Sequence, residues 1–179
     1  MHRDDPLAGT AAAAARGDEH AFAALVRATQ ADVWRFLAAL SDPDSADDLT
    51  QETYLRVFSA LPRFRGEASV RTWLLAIARR VAVDHLRRRG RSVPSAGQPR
   101  PDDWVSPDQT GHVDVADLVA GLPADRKTAF VLTQLLGLSY DEAARVCEVP
   151  IGTIRSRVAR ARAEMVAALA PAQVQTRAR

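Results

Sequence analysis

A single cysteine in 179 residues excludes a disulfide framework, and neither it nor the four histidines stands at zinc-ligand spacing. Aromatic residues make up only 6% of the chain, which favours small helical units over a large β-sandwich. Apolar runs are a few residues long, too short to span a bilayer. Met1–Thr10 lacks the basic stretch and apolar core of a secretory signal, so the expected location is the cytoplasm, with no membrane insertion. There is no phosphate-cradling glycine loop, no dinucleotide turn and no nucleophile elbow. His2, His20, His85 and His112 are scattered away from Cys147. The chain therefore reads as a non-enzyme without cofactor or metal.

What is present is a chain 47% hydrophobic and 26% charged, able to build cores. Its net charge of +2 conceals strong segregation. Residues 1–62 hold ten acidic and five basic side chains, whereas residues 63–91 hold nine arginines against Glu67 and Asp84. Residues 114–148 are again acidic, and residues 149–164 carry four arginines against Glu164. Arginine outnumbers lysine 23 to one, and alanine is abundant, a bias that favours helix.

Helical periodicity organises both halves. Thr10–Ala15 has no amphipathic pattern and reads as a frayed helix or an unstructured lead-in. Phe22, Leu25, Val26, Val33, Phe36, Leu37 and Leu40 define a helix over residues 18–40. Asp44 or Ser45 can cap the next, which carries Leu49, Thr53, Val57, Phe58 and Leu61 on one side and stops at Pro62. Ser69 caps a third over residues 70–89, with Trp73, Leu74, Ile77 and Val81 as its stripe. Residues 91–113 contain four prolines and two of the chain's nine glycines, which leaves an extended, flexible linker. Beyond it a helix from Pro123 to Leu136 offers Ala129, Phe130, Leu132 and Leu135 to a core, and Gly137 closes it. Ser139 caps a short helix to Cys147, and a last helix runs from Gly152 to Leu169 with Ile154, Val158, Ala161 and Met165 on one face. The fold expected is all-α, with domains at 16–90 and 114–170, a lead-in at 1–15 and a tail at 171–179.

Three features carry chemistry. Residues 138–165 form a helix-turn-helix pattern whose second helix shows Thr153, Arg155, Ser156, Arg157, Arg160 and Arg162 away from its apolar stripe. Such a helix fits a major groove, where arginine bonds guanine or phosphate; the bland alternative is a solvated basic face. The block from Arg79 to Arg91 has six arginines against Asp84, which could pair with Arg80 or Arg88 one turn away. Beside it, Phe64, Trp73 and His85 could stack on exposed bases, although Trp73 also fits a core stripe. The third feature is the acidic run Asp44–Asp48 with Gln51 and Glu52. Helix-dipole complementarity explains its first carboxylates but not Gln51 and Glu52, leaving a basic protein partner open.

The runs Ala46-Asp47-Asp48-Leu49-Thr50-Gln51-Glu52, Arg63-Phe64-Arg65-Gly66-Glu67, Arg71-Thr72-Trp73-Leu74 and Asp84-His85-Leu86-Arg87-Arg88 resemble region 2 of bacterial extracytoplasmic-function (ECF) sigma factors. Leu138-Ser139-Tyr140-Asp141-Glu142-Ala143-Ala144 and residues 150–162 resemble their region 4, and the arginine and alanine bias suggests an actinobacterial source. The resemblance implies a subunit that binds RNA polymerase core, on the β′ coiled coil and β flap, and directs it to promoter DNA. Asp47, Asp48, Leu49, Gln51 and Glu52 would then dock on the polymerase. Phe64, Arg65, Arg71, Thr72, Trp73, Arg80, Asp84, Arg87 and Arg88 would handle the −10 element, with a flipped base in the loop. Arg126, Thr153, Arg155, Ser156, Ala159 and Arg160 would contact the −35 element. Many members carry asparagine where this chain has Arg80; a guanidinium accepts no hydrogen bond, so it would read another base edge or a phosphate. The linker stands in for region 3, and its Asp102, Asp103 and Asp108 suggest mimicry of nucleic acid. The resemblance further suggests an anti-sigma factor as partner and a monomer when free. The competing reading is an operator-binding regulator that acts without recruiting polymerase.

Overall fold

The computed structural model describes residues 5–92 and 115–169. The linker beyond Ser92, with its three aspartates, and the tail lie outside them. Among the described residues every regular element is a helix. In chain order the α-helices are α1 (Ala8–Ala15), α2 (Glu19–Leu40), α3 (Pro43–Ala60), α4 (Val70–Ser92), α5 (Val115–Ala120), α6 (Ala124–Phe130), α7 (Tyr140–Cys147) and α8 (Ile151–Leu169), with a 3₁₀ turn after α3 and a π turn after α6.

Local chemistry sets most boundaries. The Asp18 carboxylate accepts from Ala21 N–H and starts α2. Helix α3 begins earlier than expected: its cap is Asp42, bonded to Ser45 N–H at 2.8 Å, with Pro43 in the first turn. Pro43 supplies a helical φ at a position that needs no N–H, which places the cap ahead of Asp44 and Ser45. A single 3₁₀ turn, Leu61–Arg63, absorbs Pro62. Ser69 accepts from Thr72 N–H and opens α4. A complete capping box, Ser139 with Glu142, opens α7. Glu148 closes α7 in the left-handed region at φ 57°.

Two differences from the sequence expectation have simple causes. The alanine segment is the regular helix α1, with Ala11 and Ala14 buried. Side chains that small let one helix settle closely on another without any amphipathic signature. Farther on, Leu135 is 55% exposed and Leu136 is buried in its place. Residues Val131–Leu135 form a π turn, with Leu136 N–H bonded to the Val131 carbonyl at 2.9 Å. The extra residue in that turn rotates Leu135 away from the core.

The described residues form two apolar clusters. The smaller joins Ala11, Ala14, Leu25, Val57, Leu61, Val70 and Leu74. The larger runs across both halves of the chain: Phe36, Leu37, Leu75, Ala78 and Val81 share it with Leu132, Leu138, Ala143, Val146 and Ile154. Helix α4 is the hinge of this arrangement, because it packs on α2 and α3 and also on α7. Phe36→Ala should remove 3–5 kcal/mol or so from the larger cluster. The urea midpoint should fall with the slope unchanged; an unaltered midpoint would contradict its central place.

Candidate nucleic-acid and polymerase interfaces

Helix α3 presents Asp47, Asp48 and Gln51 outward, with Glu52 half-buried beside them. Leu49 does not belong to that surface. It is 3% exposed and lies in the larger cluster, on the inner side of the helix. Conversely, Phe58, expected in the core stripe, is 61% exposed and leans edge-on against Phe22 at a centroid distance of 5.2 Å. A residue missed by sequence reasoning is Trp34. It is 40% exposed, and its indole N–H donates to Asp47 at 2.7 Å. Together with Gln51 and Asp47 it lines a cleft of about 470 Å³ between α2 and α3. Its position one residue after the buried Val33 was the available signal: a large aromatic set off the apolar stripe.

The loop between α3 and α4 builds a second cleft. Phe64 and Trp73 stand 4.8 Å apart with their planes tilted by 41°. They line a space of about 290 Å³ with Arg63, Arg65, Glu67 and Arg145. Trp73 is thus half-buried between a core stripe and an open wall. His85 takes no part, since twelve residues of helix separate it from Trp73, about 18 Å. Asp84 pairs with neither Arg80 nor Arg88. Its carboxylate accepts from Arg56 of α3 at 3.0 Å, and Arg56 also holds Glu52 at 2.6 Å. Those two bonds raise the Arg56 pKa, the Asp84 bond most strongly and against the opposing effect of burial.

The first and second halves meet on α4. Arg71 donates to Asp32 at 2.7 Å and to the Leu136 carbonyl at 2.6 Å. Thr72 is buried at the same seam, its hydroxyl 3.4 Å from Glu142. Arg80 makes two bonds to one Glu148 oxygen, at 3.2 and 2.6 Å. Arg145 reaches the Glu67 carbonyl at 3.0 Å, at the rim of the Phe64–Trp73 cleft. In this arrangement Arg71, Thr72 and Arg80 are engaged by the second half of the chain. Arg65, Arg87 and Arg88 remain exposed.

On α8, Arg155, Ser156, Ala159 and Arg160 are exposed on one side, opposite the buried Ile154, Val158 and Ala161. Thr153 is half-buried at the start of that face. Arg126 is held by Glu164, and Arg157 by Asp125 at 3.1 Å. Burial raises the Cys147 pKa, as suits an inert core thiol. Among the described residues no group of acidic, histidine or cysteine side chains could hold a metal ion. Nor is any of the described helices long and apolar enough to cross a membrane.

The sigma-70 region 2 family matches residues 25–92, and the sigma-70 region 4 family matches residues 112–165. The chain is also 50% identical to the ECF RNA polymerase sigma factor SigC of Mycobacterium tuberculosis over 174 residues, 94% of each chain. The chain belongs to the ECF sigma factors. This sigma factor therefore acts in promoter-directed transcription initiation by RNA polymerase, and the operator-binding alternative loses its ground. Its mycobacterial relative agrees with the actinobacterial source expected from composition. Two solved structures share its fold. The sigma factor RpoE of Bartonella quintana, in complex with the anti-sigma factor NepR, is 29% identical, with a TM-score of 0.68 over 83% of this chain and 96% of that one. CnrH in complex with the cytosolic domain of CnrY is 25% identical, with a TM-score of 0.69 over 89% and 94%.

The seam across α4 makes a pH prediction. The two Arg80 bonds hold the Glu148 carboxyl below its ordinary value. Glu142 is also lowered: burial pushes it up, but the Ser139 bonds, Thr72 and Arg71 outweigh that. A lowered carboxyl contributes stability that is complete above its ordinary value near 4.5 and is lost as pH falls through the lower folded value. Amide protection along residues 76–83, taken relative to the intrinsic exchange rate at each pH, should therefore stay high from pH 7 down to about 4.5 and fall below it. Glu148→Gln should speed exchange no more than about fivefold at neutral pH, because the pair is exposed. A seam equally tight at pH 3 would contradict this.

Proposed function

We propose that this sigma factor docks on polymerase core through Asp47, Asp48, Gln51 and Glu52 of α3. The Phe64–Trp73 loop and α4 then capture and open the −10 element, and the Arg155–Arg160 face of α8 reads the −35 major groove. The observation that carries this reading is the pairing, in one chain, of an outward carboxylate edge on α3 with an outward arginine face on α8. The first suits a cationic protein surface and the second suits DNA.

The tilted ring pair beside Arg63 and Arg65 suits a base taken out of its stack, since rings supply stacking and arginines supply charge for the flanking phosphates. The exposed fork of Arg80, at the place where many relatives carry asparagine, suits two parallel bonds to guanine O6 and N7 or to a phosphate. Arg126 and Thr153 flank the α8 face and suit the phosphates beside it. In the closed arrangement α7 covers part of α4, so docking on core must part the two halves before α4 meets the promoter. The chain performs no chemistry of its own, is monomeric when free and works in the cytoplasm, where the polymerase is. The β flap is the second core contact, and an anti-sigma protein would act by holding the halves away from DNA.

Run-off transcription with purified core on a pool of genomic fragments tests this reading. Transcripts should appear only with the chain present and should share two short motifs at fixed spacing. Arg155→Ala and Arg160→Ala should each lower that transcription by about tenfold, at the 1–3 kcal/mol typical of a base-reading arginine, without weakening core binding. Asp48→Lys should do the reverse and abolish capture of core. Chain-independent transcription, or arginine variants as active as the parent, would overturn the assignment.

A further inference from the structure

Asp5 lies ahead of the region 2 match, which begins at residue 25, and none of the roles above uses it. Its carboxylate bridges two helix starts. One oxygen accepts from Leu7 N–H at 3.0 Å, at the entry to α1, and the other accepts from Val70 N–H at 2.6 Å, the first residue of α4. Sixty-five residues separate the second pair. The first-turn donors of α4 are thereby shared out: Val70 N–H goes to Asp5, Thr72 N–H to the Ser69 hydroxyl, and Trp73 N–H to the Ser69 carbonyl. Helix α1 then lies along the far side of the base-reading loop. Ala8, Ala12 and Ala15 face Phe64, Gly66 and Ala68 across a narrow cleft of about 100 Å³. Ala11 and Ala14 share a cluster with Val70 and Leu74, and Phe64 and Trp73 pack against that cluster.

We propose that Asp5 and α1 position the loop that captures the −10 base. The loop is short, and Gly66 takes a left-handed φ of 69°, so its shape depends on what pins its ends. Leu61 anchors one end in the smaller cluster, and Asp5 anchors the other through Val70. With the Asp5 bond lost, the first turn of α4 frays and the spacing of Phe64 and Trp73 is no longer fixed. Asp5 does not line the Phe64–Trp73 cleft but the narrower one on the other side of Phe64, so it is a positioning residue that acts through the loop. The proposal rests on the reading of the Phe64–Trp73 cleft as the base pocket.

The test uses full-length chain in reconstituted holoenzyme, with permanganate reactivity of the −10 region as the measure of promoter opening. Asp5→Ala should lower opening of a duplex promoter about fivefold, the scale of one lost helix cap. Core affinity should be unchanged. On a template already mismatched across the −10 element, run-off transcription should return to within about twofold of wild type, which a generally unstable protein would not show. Asp5→Asn keeps a carbonyl oxygen as acceptor and should retain most of the activity. Wild-type opening by Asp5→Ala, or an equal loss on both templates, would overturn the proposal. Phe64→Ala and Trp73→Ala run alongside: if these are silent, the pocket reading itself fails and the proposal falls with it. If they are impaired while Asp5→Ala is silent, only the role of Asp5 is lost.

Discussion

Helix α4 has to satisfy two sets of partners with one cylinder. Its buried side contributes Val70 and Leu74 to one apolar cluster and Leu75, Ala78 and Val81 to the other. Its remaining surface carries Trp73, Arg80, Arg87 and Arg88. Because α7 also packs on α4, the helix that would lie along promoter DNA is the one that joins the two halves in the free chain. The seam combines apolar residues, each typically contributing 1.5–3 kcal/mol or so when fully buried, with a polar rim. The apolar part supplies strength. The rim, Arg71 to Leu136, Thr72 to Glu142 and Arg80 to Glu148, supplies register.

Charge segregation along the sequence acquires a physical meaning here. Several arginines assigned to promoter contact hold a carboxylate in the free chain: Arg80 with Glu148, Arg88 with Glu52, and Arg126 with Glu164. Arg89 similarly reaches Asp42 at 2.5 Å. Exposed pairs of this kind contribute about 1 kcal/mol or less. Pairs this weak orient the guanidinium forks and, on the proposed reading, would yield to a phosphate or a base edge. On the proposed reading the acidic blocks would serve twice, as a surface for polymerase at Asp47 and Asp48 and as partners that hold the arginines until DNA arrives.

Much of this was legible in the sequence because it is local. Ser69 and Ser139 announce their helices through hydrogen bonds spanning three residues, and the 3.6-residue stripe of α8 places Ile154, Val158 and Ala161 correctly. Long-range pairing leaves no such trace. Asp84 found Arg56 on another helix instead of a neighbour one turn away, and Glu148 found Arg80 across 68 residues. Asp5 acts across 65 residues. Alanine carries no amphipathic signal, which hid α1, and the π turn displaced Leu135 by adding one residue to a regular pattern. Leu49 is the opposite case: its place in the apolar stripe already marked it as buried, and only the family motif suggested a surface role.

On the proposed reading, α7 and promoter DNA use the same side of α4 in turn. Spin labels at the exposed Ser59 of α3 and Val166 of α8, on a Cys147→Ala background, would test it by dipolar distance measurement. One narrow distance is expected in the free chain, replaced by a clearly longer one in the holoenzyme bound to promoter. A distance that stays the same in the promoter complex would show that α7 never leaves α4 and that the two do not alternate there.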